Sequence, residues 1–139
     1  MGLAIAGLAG CSSSGDKGDA TEPITLESAT GTWVLVSGTG PQGEVTPLEA
    51  EPIDLTFEED GAFHGSSGCN SIMGTAEIVD GAVNMGAIGQ TMMACDEEAM
   101  TVEFAYTQAL DNVDAGKASA TELTLIGDDV QLNFERAAE

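Results

Sequence analysis

The feature that most constrains the fold is a series of short runs, starting near residue 30, in which apolar and polar residues alternate. Apolar side chains occupy every second position in residues 53–57, 123–125 and 130–134, and residues 32–37 form a further apolar run. Successive side chains of a strand point to opposite faces of a sheet, so this period of two buries one face. The runs therefore predict antiparallel strands.

Turn residues separate these runs and predict three hairpins. The turns are expected at Glu59-Asp60-Gly61, Asp80-Gly81 and Gly127-Asp128-Asp129. Asp and Gly suit two-residue hairpins because the central positions require positive φ angles that these residues tolerate. The stretch from Gly38 to Pro52 is rich in Gly and Pro, and we expect it to form a loop.

The segment from Asp96 to Asp111 has instead the period of an amphipathic helix. Asp96 is a suitable N-cap, and Glu97 and Glu98 complement the positive end of the helix dipole. The sequence thus predicts a mainly β (α+β) fold, with a strongly bent antiparallel sheet or partly closed barrel and one packed α-helix. The apolar helix face is expected to carry Ala99, Met100, Phe104, Tyr106 and Leu110.

Length and charge restrict the function. A chain of 139 residues has room for one domain with a modest core. It carries 24 Asp and Glu against 3 Lys and Arg, a formal net charge of -21, so nucleic acid is excluded as a partner. The carboxylates could bind cations or basic partners, but they are scattered along the chain. We expect them to form a generally solvated surface.

The first eleven residues resemble the end of a bacterial lipoprotein leader. Met1 to Gly10 is uncharged and apolar, with the length of a signal-peptide core and too few residues to span a bilayer. Leu8-Ala9-Gly10-Cys11 resembles the lipobox, after which the cysteine receives acyl chains such as palmitate. A basic segment is missing, so residues 1–11 are expected to be a truncated leader. The alternative is an ordinary buried cysteine.

A lipid on Cys11 would attach the protein to a membrane. Each buried methylene adds about 0.8 kcal/mol, so acyl chains anchor the protein even though its acidic surface is repelled by anionic headgroups. Residues 12–29 contain Gly, Ser, Asp and Pro and predict a flexible acidic tether. The expected location is the cell envelope, outside the cytoplasm.

Several short motifs carry a family resemblance. Residues 31–35 read Gly-Thr-Trp-Val-Leu, and a strand and Asp-Gly turn follow. Residues 68–70 read Gly-Cys-Asn, and residues 93–95 read Met-Ala-Cys ahead of the predicted helix. With these motifs, residues 30–136 resemble the META domain, or HslJ-like, family. The resemblance implies an antiparallel β fold with one helix, found in bacterial envelope lipoproteins, and brings no established activity. The matching motif residues are Gly31, Thr32, Trp33, Gly68, Cys69, Asn70, Met93, Ala94, Cys95, Glu103 and Phe104.

Cys69 and Cys95 are expected to form a disulfide in an oxidising compartment. A bond that closes a loop of about 26 residues contributes roughly 3.5 kcal/mol in the chain-entropy model. The alternative is a redox-active or nucleophilic cysteine. Neither residue lies in a Cys-x-x-Cys motif. Alternation puts His64 on the strand face opposite Phe63, whereas Cys69 shares the phase of Phe63, so a Cys-His dyad is disfavoured.

Glu103 falls within the predicted apolar helix face. A partly buried carboxylate could act as a general acid or base. It could instead accept hydrogen bonds from loop amides near Cys69 and Asn70, which is the role we expect.

Methionines are concentrated in one part of the chain. Thioethers that converge with Cys or His bind soft metals such as Cu(I), but flexible filling of the core is the expected role. The residues concerned are Met73, Met85, Met92, Met93 and Met100.

The resulting prediction is a non-enzymatic, lipid-anchored envelope protein that binds a partner or supports the envelope under stress. We expect no catalytic residue, metal or cofactor, and the partner is an unknown envelope protein or apolar ligand. One alternative is a carrier with a cavity lined by Trp33, Phe57, Phe63 and the methionines. Another is an extracellular protease inhibitor that uses an exposed loop at Gly38–Pro47. A small hydrolase or oxidoreductase would need a convergent catalytic set that the sequence does not show.

Overall fold

The computed structural model describes residues 21–137. Its twelve strands form one antiparallel sheet, and two helices accompany them. The strands are β1 Glu22–Pro23, β2 Gly31–Gly40, β3 Gly43–Val45, β4 Ile53–Phe57, β5 Ala62–Ser67, β6 Ser71–Thr75, β7 Glu77–Val79, β8 Ala82–Asn84, β9 Gly89–Gln90, β10 Val113–Ala118, β11 Glu122–Gly127 and β12 Val130–Arg136; the helices are α1 Leu26–Ala29 and α2 Glu97–Asp111.

The sheet curls into a half-barrel. Its strands follow the order β7-β8-β10-β11-β12-β2-β4-β5-β6-β9, with β1 beside β10 and β3 beside β2. Only Ala76 separates β6 from β7 along the chain, yet these strands lie near opposite ends of that order. The sheet must therefore bend back on itself, which confirms the predicted mainly β fold with one packed helix.

All three predicted hairpins are present. Their turns join β4 to β5, β7 to β8, and β11 to β12. Asp80 and Gly81 have φ angles of 45° and 91°, and Asp129 has a φ of 59°. These are the positive values that tight hairpin turns require.

The predicted loop at Gly38–Pro52 is wrong in its first half. β2 continues to Gly40, and β3 pairs back onto it with Gly38 opposite Val45. The glycines mark a further hairpin, since Gly43 has a φ of 107° at the start of the returning strand. The free inhibitory loop envisaged at Gly38–Pro47 is thus largely a paired ribbon.

The folded domain includes residues 22–29, ahead of the start predicted at residue 30. β1 pairs with β10, and Ile24 and Ala29 are fully buried. Thr25 and Ser28 form a capping box that starts α1. Residues 22–29 therefore belong to the domain, and the predicted tether was drawn too long by eight residues, 22 through 29.

Helix α2 packs against β2, β3, β5 and β12. Its own residues Tyr106, Ala109 and Leu110 are fully buried, and Asp96 caps its first turn by accepting from the Ala99 N–H at 3.1 Å. The predicted apolar face is correct for Ala99, Tyr106 and Leu110 but wrong for Met100 and Phe104. These two side chains are 43% and 53% exposed.

Candidate functional site

The motifs around Cys69 and Cys95 meet where the β5–β6 turn approaches the segment that leads into α2. We call this the motif junction: Ser67, Cys69, Asn70, Met93, Cys95 and Glu103. Cys69 and Cys95 lie at disulfide distance, with Cα atoms 5.9 Å apart. That separation is typical of a disulfide. The pairing predicted from the sequence is therefore present in the structure, and it fixes the turn to the helix entrance.

Asn70 provides most of the hydrogen bonds of the motif junction. Its side-chain Oδ1 accepts from the Met93 N–H at 2.6 Å and from the Thr91 hydroxyl at 2.9 Å. Its Nδ2 donates to the Met93 carbonyl at 3.3 Å and to Glu103 Oε1 at 3.0 Å. The residue is only 5% exposed, so each of these bonds replaces one that water would make. Asn70 thereby holds the Met93 backbone against the helix.

Glu103 is the buried acceptor at the centre of the motif junction. Its Oε2 accepts from the Asn70 N–H at 2.8 Å and from the Ser67 hydroxyl at 2.5 Å. With the Asn70 side-chain amide on Oε1, both carboxylate oxygens have donors while the residue is 6% exposed. The structural role expected for Glu103 is thus the one its contacts show, because these donors compensate for the loss of water.

The Gly31-Thr32-Trp33 motif lies away from this junction, near the end of β12. Trp33 is fully buried and donates its Nε1–H to the Ala29 carbonyl at 2.8 Å. The Arg136 guanidinium lies over its ring, 4.1 Å from the centroid, a favourable cation–π geometry. Gly31 has a φ of 126°, and a Cβ there would collide with the Arg136 side chain. The sequence analysis missed Arg136, although its being the single arginine of the chain was a signal.

His64 is positioned as predicted, on the outer face of the sheet. Its Nε2 lies 3.3 Å from Glu58 Oε2, and both side chains are more than half exposed. The neighbouring Phe63 is buried on the inner face. His64 is therefore an exposed surface residue that faces away from the cysteines.

The expectation that the methionines fill the core is wrong for four of the five. Met85 is 3% exposed, whereas Met73, Met92, Met93 and Met100 are 43%, 88%, 59% and 43% exposed. Alternation along β6 puts Met73 outside, and Met92 and Met93 lie in a segment with no helix or strand. In residues 21–137 no group of three or more His, Cys, Asp or Glu is arranged to hold a metal ion.

The cavity envisaged for an apolar carrier is filled by the protein itself. Trp33, Phe57 and Phe63 are at most 2% exposed and belong to the main hydrophobic core, and the Phe57 and Phe63 rings lie 6.0 Å apart. A surface depression does exist beside α1, but Glu27 and Glu59 contribute to its wall. It is acidic and distinct from the aromatic cavity that was expected.

Tyr106 is a second buried titratable group of α2, which the sequence analysis considered only as part of the apolar face. Its hydroxyl has no hydrogen-bond partner among the atoms of residues 21–137. Burial raises the pKa of this phenol above its usual value, and the nearby Asp54 carboxylate raises it further. Tyr106 therefore remains neutral in the folded protein.

The predicted lipobox residues Leu8, Ala9, Gly10 and Cys11 lie outside the described residues. Within the described part, neither helix is long and apolar enough to cross a membrane.

The META domain family model matches residues 24–139, which covers strands β2 to β12, the motif junction and the Trp33 motif. This chain belongs to the META domain family. The match includes Ile24 and α1, in agreement with a domain that starts ahead of residue 30.

Solved structures show the same architecture as this META domain. An NMR structure of a protein from Burkholderia xenovorans is 26% identical, with a TM-score of 0.69 over 89% of this chain and 97% of that one. A DUF4847 family protein from Bacteroides vulgatus is 20% identical, with a TM-score of 0.55 over 81% of this chain and 96% of that one, and shares the fold alone. No curated protein matches the chain significantly.

Proposed function

We propose that this META-domain protein is a lipid-anchored component of the bacterial cell envelope that acts by binding a partner and carries out no catalysis. The observation behind the binding role is the state of the motif junction. Its carboxylate, its amide and its cysteines are engaged with one another, so the groups that could perform chemistry instead hold the fold together. What the domain offers to other molecules is its surface.

The proposed anchor is supported by the order of features ahead of the domain. An apolar run, small residues, Cys11 and a polar segment follow one another directly. Cys11 precedes the first described residue, Thr21, by ten positions. A segment of that length spans at most about 35 Å, so a lipid on Cys11 would keep the domain close to the membrane surface.

The anchor is tested on protein expressed from its natural gene and extracted from membranes. Detergent phase partitioning should place the wild type in the detergent phase, and mass spectrometry should find acyl chains on Cys11. Cys11→Ser should move to the aqueous phase. The matched control, Cys69→Ala with Cys95→Ala, should remain in the detergent phase. A Cys11→Ser protein that partitions like the wild type would refute the anchor.

A further inference from the structure

Large exposed apolar side chains are concentrated at the entrance and outer face of α2. Seven such residues occur in the described part of the chain, and four of them lie within the thirteen residues 92–104. Isolated exposed apolar residues are common, but a local concentration of them indicates an interaction surface. We call this set the α2 patch; it comprises Met92, Met93, Met100 and Phe104.

The α2 patch is carried by backbone that is already fixed. Met100 and Phe104 are four residues apart on one helix, so their side chains are neighbours. The Met93 backbone is hydrogen-bonded to Asn70 through both its N–H and its carbonyl, and Asn70 in turn is bonded to Glu103 on the same helix. Cys95 is joined to Cys69. The backbone of the α2 patch is therefore ordered before a partner binds, and binding does not have to supply the free energy of ordering it.

The charge around the α2 patch selects the kind of partner. Residues 91–112 contain no Lys, Arg or His. Asp96, Glu97 and Glu98 lie between Met93 and Met100 in the sequence. The chain as a whole carries a net charge of -21, so acidic proteins and anionic lipid surfaces are repelled. Flexible, polarisable thioethers adapt to apolar side chains of varied shape. The complement of this surface is both apolar and positively charged.

We propose that the α2 patch docks a cationic amphipathic helical segment of a partner protein. The apolar face of that segment contacts Met92, Met93, Met100 and Phe104, and its Lys and Arg residues lie against Glu97 and Glu98. The inference gives a partner class to the binding role proposed above and rests on that role, but it does not depend on the lipid anchor.

The apolar half of the inference is tested with the full-length chain carrying Cys11→Ser and with melittin, a cationic amphipathic peptide, as the probe. Isothermal titration calorimetry should show one-to-one binding. Met100→Gln with Phe104→Gln should weaken the affinity at least tenfold. The control pair Val36→Gln with Val79→Gln alters two exposed apolar residues elsewhere and should change the affinity less than twofold. Equal effects of the two pairs would overturn the inference.

The charged half is tested with the same probe. Glu97→Gln with Glu98→Gln should weaken binding about fivefold at low salt, whereas Glu44→Gln with Asp128→Asn, which removes the same charge from other exposed positions, should have a smaller effect. Equal losses would assign binding to the overall charge and contradict docking at α2. Binding to phosphatidylglycerol vesicles that is lost in the Met100 and Phe104 variant would replace the protein partner with a lipid surface. A negative result with melittin would reject the docking proposal and leave the anchor, measured on membrane-extracted protein, unaffected.

Discussion

The inner and outer faces of α2 each contain an exception to the usual distribution of residues in a surface helix. The inner face buries a carboxylate, Glu103, at 6% exposure, while the outer face presents Met100 and Phe104 at 43% and 53%. Helix amphipathicity normally places charged groups outside and large apolar groups inside. Both exceptions occur within five consecutive residues of one helix.

The difference separates the residues of α2 that serve the fold from those that we propose for binding. Glu103 has an acceptor role inside because three donors from Ser67 and Asn70 surround it. Met100 and Phe104 make no comparable contribution to the core. Exposed apolar side chains lower solubility, and the fold does not require apolar residues at these two positions. The inner face therefore accounts for stability, and the outer face is the part that we propose for a partner.

The largest effect is expected from removing the disulfide beside the inner face. Cys69→Ala with Cys95→Ala should lower the free energy of unfolding by about 3.5 kcal/mol, because the unfolded chain regains the entropy of an open loop of roughly 26 residues. Urea denaturation monitored by Trp33 fluorescence measures this change. Reduction of the wild type should give a loss of similar size. A loss below about 1 kcal/mol would show that the Asn70 and Glu103 bonds hold the junction by themselves.

Glu103→Gln should have the next largest effect on stability. The substitution keeps the shape of the side chain but places an NH2 group against donors that need acceptors, at an expected cost of about 2 kcal/mol. Urea denaturation measures the cost. Glu98→Gln, an exposed position on the same helix, is the matched control and should change stability by less than about 0.5 kcal/mol. If Glu103→Gln left the stability unchanged but abolished melittin binding, the roles assigned to the two faces would be reversed.

The pH dependence of the free energy of unfolding tests the burial of Tyr106 on the inner face of α2. The folded state raises the pKa of its phenol above the unfolded value of 10.0, so the stabilising difference is fully present below pH 10 and is lost as the pH rises beyond it. Unfolding should become easier by about 1.4 kcal/mol per pH unit above pH 10, and Tyr106→Phe should remove that slope. Because Tyr106 is the single tyrosine, tyrosinate absorbance reports it directly. Tyrosinate that forms near pH 10 in the folded protein would contradict its burial.

Much of the fold was predictable because its signals are local. Alternation of Ile53, Leu55 and Phe57 gives one strand, and the turn at Asp80-Gly81 gives a hairpin, from residues that are adjacent in sequence. The β2–β3 hairpin was missed because its Gly and Pro residues are typical of loops as well as of turns. Ile24 and α1 were missed because they pack against distant parts of the chain. The Ile24 N–H donates to the Gly116 carbonyl in β10, more than ninety residues later, and α1 contacts β7.

The motif junction was predictable in part for the same reason. Two cysteines in an oxidising compartment usually pair, which predicts the bond between Cys69 and Cys95. A carboxylate on an apolar helix face usually accepts hydrogen bonds, which predicts the role of Glu103. The rotation of α2 about its axis does not follow, because it is set by the facing strands and by the Asn70 and Ser67 donors that draw Glu103 inward. Ala99, Glu103, Tyr106 and Leu110 share the buried face at i, i+3 and i+4 spacing, and Met100 and Phe104 lie outside it.

The smallest expected effect belongs to the outer face. Met100→Gln with Phe104→Gln should change the free energy of unfolding by less than about 0.5 kcal/mol, since glutamine forms helix as well as methionine and better than phenylalanine, and both residues are about half exposed. Thermal and urea denaturation measure it. Tyr106→Ala on the inner face of the same helix is the contrast and should cost about 3 to 5 kcal/mol. A loss above about 2 kcal/mol in the outer pair would mean that these residues serve the core, and the α2 patch would then have no separate reason to be apolar.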